Sequence, residues 1–204
     1  MLGRAASESE GEAGRLDRAA ADIVSDDALM VRVGAGEEPA FRLLVERWER
    51  PLFAFLYRMT GSLEDAMDLR QETFLRVFSG AARYRPQGKF RAWLFRIAGN
   101  LARGHLRRRR IVRWIRLEPA EHDAPSSDPP ADAALERAEL SRRVAKALDR
   151  LPGRQREALV LKRFHDLSYR EIAEVLGATE AAVESLLIRA AAGLRRELGE
   201  MEAR

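Results

Sequence analysis

A proline-rich, acidic stretch divides the chain, and this break limits the possible fold more than any other feature. Residues Glu118–Asp132 read EPAEHDAPSSDPPAD, in which prolines and small polar residues leave no periodic apolar stripe. Such a segment cannot build a core, and its composition is typical of an extended linker. We therefore predict two small domains, 26–115 and 133–204, joined by a flexible linker over 116–132 and preceded by a disordered extension over 1–25.

Composition narrows the class of protein. The chain has 204 residues, 46% of them hydrophobic, no cysteine and a net charge of +4. Without cysteine it can form no disulfide framework, thiolate nucleophile or cysteine-ligated zinc site. No apolar run approaches the roughly 20 residues that span a bilayer, and the N-terminal residues lack the apolar core of a signal peptide. We therefore expect a cytoplasmic protein without membrane insertion, and the basic balance favours an anionic partner.

Apolar residues recur at steps of three and four through the first domain, which indicates the buried faces of helices. The pattern runs through Phe41–Met59, resumes after Gly61 in LEDAMDLRQETFLRVF, and resumes again from Phe90 in FRAWLFRIAGNLARGHLRRRR. Ser62, followed three residues later by Asp65, resembles a helix cap. No segment alternates with period two, so we predict an all-α fold without a sheet.

The second domain contains the pattern of a helix-turn-helix. Ser168 and Glu171 form a capping box at the start of YREIAEVL, Gly177 supplies a turn, and Thr179 can cap a longer last helix. In a helix-turn-helix the second helix lies in the major groove of DNA. Helical spacing predicts that this last helix buries Val183, Leu186, Leu187, Ala190 and Leu194.

Three segments together resemble the extracytoplasmic-function (ECF, group IV) sigma factors of bacterial RNA polymerase. They are DAMDLRQETFLRVF, then YRPQGKFRAWLFRIAGNLARGHLRRRR, then ALDRLPGRQREALVLKRFHDLSYREIAEVLGATEAAVESLLIRA. The resemblance implies that the first domain is sigma region 2, which binds core polymerase and opens the minus-ten element, and the second is region 4, which reads the minus-thirty-five element. It also implies three partners: core polymerase, through its beta-prime clamp and beta flap, promoter DNA, and an anti-sigma factor.

An acidic helix face in the first domain has two interpretations. From the residues alone, carboxylates at helical spacing beside apolar groups form either a solvated face or a docking surface. The resemblance implies that this segment binds the coiled coil of the beta-prime clamp. The predicted polymerase-binding residues are Asp65, Asp68, Gln71, Glu72 and Leu75.

A loop, an aromatic helix and an arginine block follow. Bases that leave the stack are held by aromatic or shaped pockets with cations along the backbone. From the residues alone, the aromatics could equally be core and the arginines a solvated helix end. The resemblance implies that a flipped base enters a pocket formed by the loop and the next helix, where Asn100, as donor and acceptor, helps to select it. The predicted minus-ten residues are Tyr84, Arg85, Pro86, Gln87, Lys89, Phe90, Trp93, Arg96, Asn100, Arg103, Arg107 and Arg108.

The last helix carries Glu184 and Leu186 where a phosphate-rich partner would favour cations. The resemblance implies that Ser185 and Arg189 approach DNA, arginine being suited to guanine, and Ile188 can meet a thymine methyl. The resemblance also implies a basic residue at the place of Glu184, so we expect this acid to weaken DNA binding without erasing base recognition. The predicted minus-thirty-five residues are Arg170, Thr179, Ser185, Ile188, Arg189, Arg195 and Arg196.

The sequence contains no familiar catalytic pattern. The three histidines are scattered, and no HExxH, P-loop, GxSxG or GxGxxG occurs. We therefore expect a non-catalytic transcription initiation subunit with no catalytic residue, metal site or cofactor. Two other functions remain open: a helix-turn-helix regulator that acts without polymerase, and a sigma-like mimic that sequesters an anti-sigma factor.

Overall fold

The computed structural model describes residues 24–116 and 143–202. The predicted extension and linker lie almost entirely outside these described residues. Within them every regular element is helical and no strand occurs, which confirms the all-α prediction. The helices are α1 (Asp26–Gly34), α2 (Glu38–Thr60), α3 (Leu63–Gly80), α4 (Phe90–Arg116), α5 (143–149), α6 (Gly153–Phe164), α7 (Tyr169–Leu176) and α8 (Glu180–Glu202). In this part of the chain no helix is long and apolar enough to cross a bilayer.

The described residues fall into two compact units. Unit 1 contains the residues up to Arg47 together with Val77–Phe90, and unit 2 contains Trp48–Arg76 together with the residues from Arg91 onward. Helices α2 and α3 therefore each contribute to both units.

Unit 1 is built around α1, a helix that the apolar periodicity does not predict. The Ser25 hydroxyl accepts a hydrogen bond from the Ala28 amide at 3.2 Å and so caps its first turn. Leu29 and Met30 are fully buried. At the other end, Gly34 lies against a single 3-10 turn, Ala81–Arg83, so closely that a β-carbon on Gly34 would lie 2.9 Å from the Ala81 carbonyl oxygen. A side chain at Gly34 would therefore push α1 away from this turn.

One part of the core of unit 2 is formed by α2 and α4 together with the segment that follows α6. Phe55 and Phe95 are fully buried and meet edge to face, with ring centroids 5.1 Å apart. The His165 ring contacts both, at 4.8 Å from Phe95 and 5.8 Å from Phe55. Full burial of each phenylalanine contributes about 1.5–3 kcal/mol to the free energy of folding. These aromatic contacts therefore make a large contribution to the stability of unit 2.

The helix-turn-helix forms as the local sequence predicts. The Ser168 hydroxyl accepts a hydrogen bond from the Glu171 amide while the Glu171 carboxylate accepts one from the Ser168 amide, which completes the capping box of α7. Gly177 ends α7 with φ +58°, a left-handed conformation that favours glycine. The Thr179 hydroxyl accepts from the Ala182 amide at 3.2 Å and caps α8.

Packing holds α8 against α5 and α6. Leu148, Leu151, Leu159 and Ala190 form one buried cluster, and Val144 and Leu194 pack at its edge. Of the five residues predicted to be buried on α8, Val183 and Ala190 are fully buried, whereas Leu186, Leu187 and Leu194 are half-buried. The prediction therefore identified the side of α8 that faces the core, but Leu186 and Leu187 lie at the margin of that core.

Candidate polymerase and DNA interfaces

One side of α3 combines an apolar row with a carboxylate row. Leu63, Met67 and Leu75 are about half exposed, at 48%, 48% and 58%, and Gln71 lies between them at the same four-residue step. The adjacent row carries Asp68, which is exposed, and Glu72, whose carboxylate pairs with Arg76 at 2.8 Å within the helix. We call these two rows the α3 face. Exposed apolar side chains rimmed by charge are typical of a protein-binding surface.

Two members of the α3 face were not predicted from the sequence, and one predicted polymerase-binding residue, Asp65, lies outside this face. Leu63 and Met67 were not predicted, although their spacing from Leu75 is visible in the sequence. Asp65 lies off the apolar row, with its carboxylate oxygen 3.0 Å from Arg109 Nη1 and 3.1 Å from His105 Nε2. Asp65 therefore joins α3 to α4 within unit 2.

The loop between α3 and α4, residues 84–89, is bound to α1 by one carboxylate oxygen. Asp27 Oδ1 accepts hydrogen bonds from the Tyr84 hydroxyl at 2.9 Å, the Gln87 amide at 2.8 Å and the Gly88 amide at 3.0 Å. Burial, followed by the bond to Asp27, raises the pKa of Tyr84 and keeps its hydroxyl protonated. Sequence reasoning missed Asp27, because its partners lie 57 to 61 residues away along the chain.

The predicted residues of this loop differ in exposure. Arg85, Pro86, Gln87 and Lys89 are exposed, whereas Phe90 is only 2% exposed and meets the Tyr84 ring edge to face at 6.2 Å. Phe90 therefore supports the loop from the core side. The exposed members lie at the surface of unit 1.

Within unit 2, α4 presents a row of predicted residues along one side. Arg96, Asn100 and Arg107 are exposed at helical spacing, Arg108 is exposed beside them, and Trp93 is half-buried. Arg103 belongs to the same row, but its guanidinium donates to Asn100 Oδ1 and to the Glu157 carboxylate of α6. We call Arg96, Asn100, Arg103 and Arg107 the α4 row.

The partner of Arg103 is a deeply buried carboxylate. Glu157 has no exposed surface, and this burial raises its pKa while the Arg103 charge opposes the rise. Gly99 makes room for it, because a β-carbon at that position would lie 1.9 Å from Glu157 Oε1. Next to it, Arg156 is 3% exposed and donates to the Met59 carbonyl at 2.6 Å and to Asp149 at 2.8 Å. Two adjacent residues of α6 thus place a basic and an acidic side chain in the interior of unit 2.

The outward side of α8 carries the remaining predicted DNA residues. Ser185, Ile188 and Arg189 are exposed near its start, with Ile188 at 63%, and Arg195 and Arg196 are exposed further along. We call these five residues the α8 face. Arg170 and Thr179 are exposed on α7 and at the turn, while Glu184 is exposed and Leu186 is half-buried. The arrangement offers cations, a hydroxyl and one apolar side chain, the groups that read base edges and thymine methyls.

Comparisons with known proteins match both halves of the chain. Residues 44–111 match the family model for Sigma-70 region 2, and residues 141–192 match that for Sigma-70, region 4. The chain is 36% identical over 180 residues to the ECF RNA polymerase sigma factor SigE of Mycolicibacterium smegmatis, covering 88% of this chain and 66% of that protein. It is 33% identical over 178 residues to the ECF RNA polymerase sigma-E factor of Haemophilus influenzae, covering 83% and 93% respectively. Among solved structures, CnrH in complex with the cytosolic domain of CnrY matches with a TM-score of 0.65 and 30% identity, covering 86% of this chain and 97% of that one.

Proposed function

Because the chain belongs to the extracytoplasmic-function sigma factors of bacterial RNA polymerase, a group of the sigma-70 family, we propose that it directs core polymerase to specific promoters and initiates DNA melting there. Sigma factors are subunits of transcription initiation, so the chemistry of RNA synthesis belongs to the polymerase and this chain is non-catalytic. It acts in the cytoplasm, where polymerase and promoter DNA are found. The observation that carries the proposal is that one chain presents the α3 face, the α4 row and the α8 face together.

The α3 face binds core polymerase, at the beta-prime clamp. Its three apolar side chains lose water on docking, and Asp68, Gln71 and Glu72 supply a polar rim. A few buried apolar anchors usually dominate the affinity of such an interface. Leu63, Met67 and Leu75 are therefore the candidates for these anchors, and region 4 makes a second contact at the beta flap.

The 84–89 loop and the α4 row bind the minus-ten element. Arg85, Lys89, Arg96 and Arg107 are exposed cations that can track the phosphates of a melted strand. Asn100 supplies an amide that can donate to and accept from a base edge. Phosphate contacts position the protein, whereas base contacts give specificity. Base choice therefore depends on the loop and Asn100 more than on the arginines.

The α8 face binds the minus-thirty-five element. Arg189 can form paired hydrogen bonds with guanine, Ile188 can contact a thymine methyl, and Ser185 can donate to either kind of base edge. Arg195 and Arg196 lie on later turns of the helix, at spacing suited to phosphates. The carboxylate of Glu184 lowers affinity for the phosphate backbone but leaves base recognition by Ser185, Ile188 and Arg189 unchanged.

An anti-sigma factor is the proposed regulator of the chain. CnrH, which resembles this chain in fold and at 30% identity, was solved in complex with the cytosolic domain of CnrY. A protein that co-purifies with the tagged chain and inhibits its transcription in a purified system is the expected result. Full activity in cells under all growth conditions, with no such inhibitor, would contradict this part of the proposal.

Transcription with purified components separates the sigma function from its two alternatives. The chain is mixed with core polymerase and genomic fragments, and run-off transcripts are mapped. Transcripts that start at defined promoters only when the chain is present support the sigma function. Sequence-specific footprints without polymerase and without transcripts would instead indicate an ordinary regulator. Binding to an anti-sigma factor with neither transcripts nor footprints would indicate the mimic, for which Glu184, Leu186 and Ile188 are the supporting residues.

A further inference from the structure

We propose that Asp27 is a positioning residue that sets base discrimination at the minus-ten element by holding the 84–89 loop in its reading conformation, without itself contacting DNA. This inference rests on the proposed function of the loop. Its physical basis is the set of three hydrogen bonds, at 2.8 to 3.0 Å, that converge on Asp27 Oδ1 from the Tyr84 hydroxyl and the Gln87 and Gly88 amides.

The three bonds are of the strong kind. A carboxylate only accepts hydrogen bonds, and bonds to an ionised acceptor are roughly twice as strong as bonds between neutral groups. Asp27 is half-buried in the first turn of α1, where the free amides of the helix terminus favour a negative charge. Its neighbour Asp26 is paired with Arg47 instead. Asp27 therefore accepts all three of these bonds from the loop, and the guanidinium of Arg47 pairs with the neighbouring acid.

Asp27, the anchor of the loop, fixes the 84–89 segment on both sides of its exposed cation, Arg85. Tyr84 precedes Arg85 and Pro86, and Gln87 and Gly88 follow them, so the bonds to Asp27 clamp a short segment at both ends. Gly88 adopts φ +67°, a conformation that keeps its amide directed to the carboxylate at no steric cost. A loop held in this way need not lose conformational entropy when it meets a base. A loosened loop would accept several bases with more similar affinity.

The test measures base preference in the complete holoenzyme. Core polymerase with the wild-type chain is used to select transcribed templates from a promoter library randomised across the minus-ten element. The ratio of transcript from the preferred sequence to that from each single-base change is then compared for wild type, Asp27→Ala and Asp27→Asn. For Asp27→Ala we expect this ratio to fall roughly tenfold at the selected positions, because bonds to a charged acceptor are lost. Asp27→Asn keeps an accepting oxygen, so its ratio should lie between those of wild type and Asp27→Ala.

Asp26→Ala is the matched control. It removes an acid from the same turn of α1, together with the ion pair to Arg47, but leaves all three bonds to the loop. It should keep the wild-type ratio. Affinity for core polymerase and for duplex minus-thirty-five DNA should be unchanged in every variant, since the three bonds to Asp27 all come from the 84–89 loop. A general loss of activity with an unaltered ratio would mean that Asp27 only supports folding, and it would overturn the positioning role.

Amide hydrogen exchange in the free chain tests the anchor without transcription. In Asp27→Ala the Gln87 and Gly88 amides should exchange roughly tenfold faster than in wild type, whereas Asp26→Ala should leave them unchanged. Unaltered exchange in Asp27→Ala would overturn the positioning role even if the wild-type holoenzyme transcribes selectively. A wild-type holoenzyme with no base preference at the minus-ten element would instead overturn the proposed function of the loop, whatever the exchange rates are.

Discussion

Protonation of His165 is expected to destabilise the protein at mildly acidic pH. Its ring lies against Phe55 and Phe95, and burial, followed by the charges of Arg58 and Arg91, lowers its pKa from the ordinary 6.5 to about 4. The His165 imidazole therefore binds a proton near pH 6.5 in the unfolded chain but only at lower pH in the folded chain. Stability from this residue is therefore complete above pH 6.5 and is lost as the pH falls toward 4.

The size of the effect follows from the gap between the two pKa values. At about 1.4 kcal/mol per pH unit, a gap from 6.5 to about 4 corresponds to at most about 3.5 kcal/mol. Solvent screening at the partly exposed ring reduces this to about 2 kcal/mol. For a protein of marginal stability this is a substantial fraction of the total.

Urea unfolding at pH 7 and pH 4.5 measures this loss. The wild type should lose about 2 kcal/mol more than His165→Gln, because the variant has no imidazole to protonate and both proteins share every other titrating group. His105→Gln is the control, since it removes another imidazole but leaves His165 in place, and it should keep the acid-induced loss that His165→Gln lacks. Equal losses in wild type and His165→Gln, or a His165 ring that titrates near 6.5 by NMR, would refute the argument.

Five further substitutions test other contacts. Gly104→Ala should stabilise α4 by about 1 kcal/mol, because a β-carbon there meets nothing closer than 3.7 Å. In contrast, Gly99→Ala should destabilise the protein by about 2 kcal/mol, because the added methyl group disturbs the buried pair of Glu157 and Arg103. If Gly99→Ala instead raised the urea midpoint as Gly104→Ala does, this prediction would be wrong. Met67→Ala should weaken core polymerase binding roughly tenfold without changing the urea midpoint, and unaltered affinity would exclude it from the interface. In DNA titrations, Arg189→Ala should abolish preference for the minus-thirty-five element. Glu184→Lys should tighten DNA binding and steepen its salt dependence. If Arg189→Ala kept the wild-type preference, Arg189 would not be one of the residues that recognise bases.

The sequence predicted those parts of the fold that depend on local chemistry. The long helices show apolar spacing over many turns, and the capping box at Ser168 and the glycine turn at Gly177 involve residues a few positions apart. Helix α1 was missed because its nine residues form too short a stripe to recognise. Local patterns therefore located the helix-turn-helix but not the helix that supports the 84–89 loop.

The parts of the candidate site that were missed depend on contacts between distant residues. Asp27 meets its partners across 57 to 61 residues, and Glu157 reaches Arg103 across 54. Neither acid stands out in a chain in which 33% of residues are charged. Phe90 shows the converse, because an aromatic residue predicted to meet DNA is buried beneath Tyr84. Residue type indicates which chemistry is available, whereas folding decides which side chain can reach a partner.

The most direct test of the sigma function is the reactivity of promoter thymines to permanganate, which modifies unpaired bases. A promoter selected by the holoenzyme is probed with the chain alone, with core polymerase alone, and with both together. Reactive thymines are expected at the minus-ten element only when both are present, and fewer are expected when Met67→Ala replaces the wild type at limiting protein concentration. Unchanged thymine reactivity in the complete mixture, or the same opening with core polymerase alone, would contradict the sigma function.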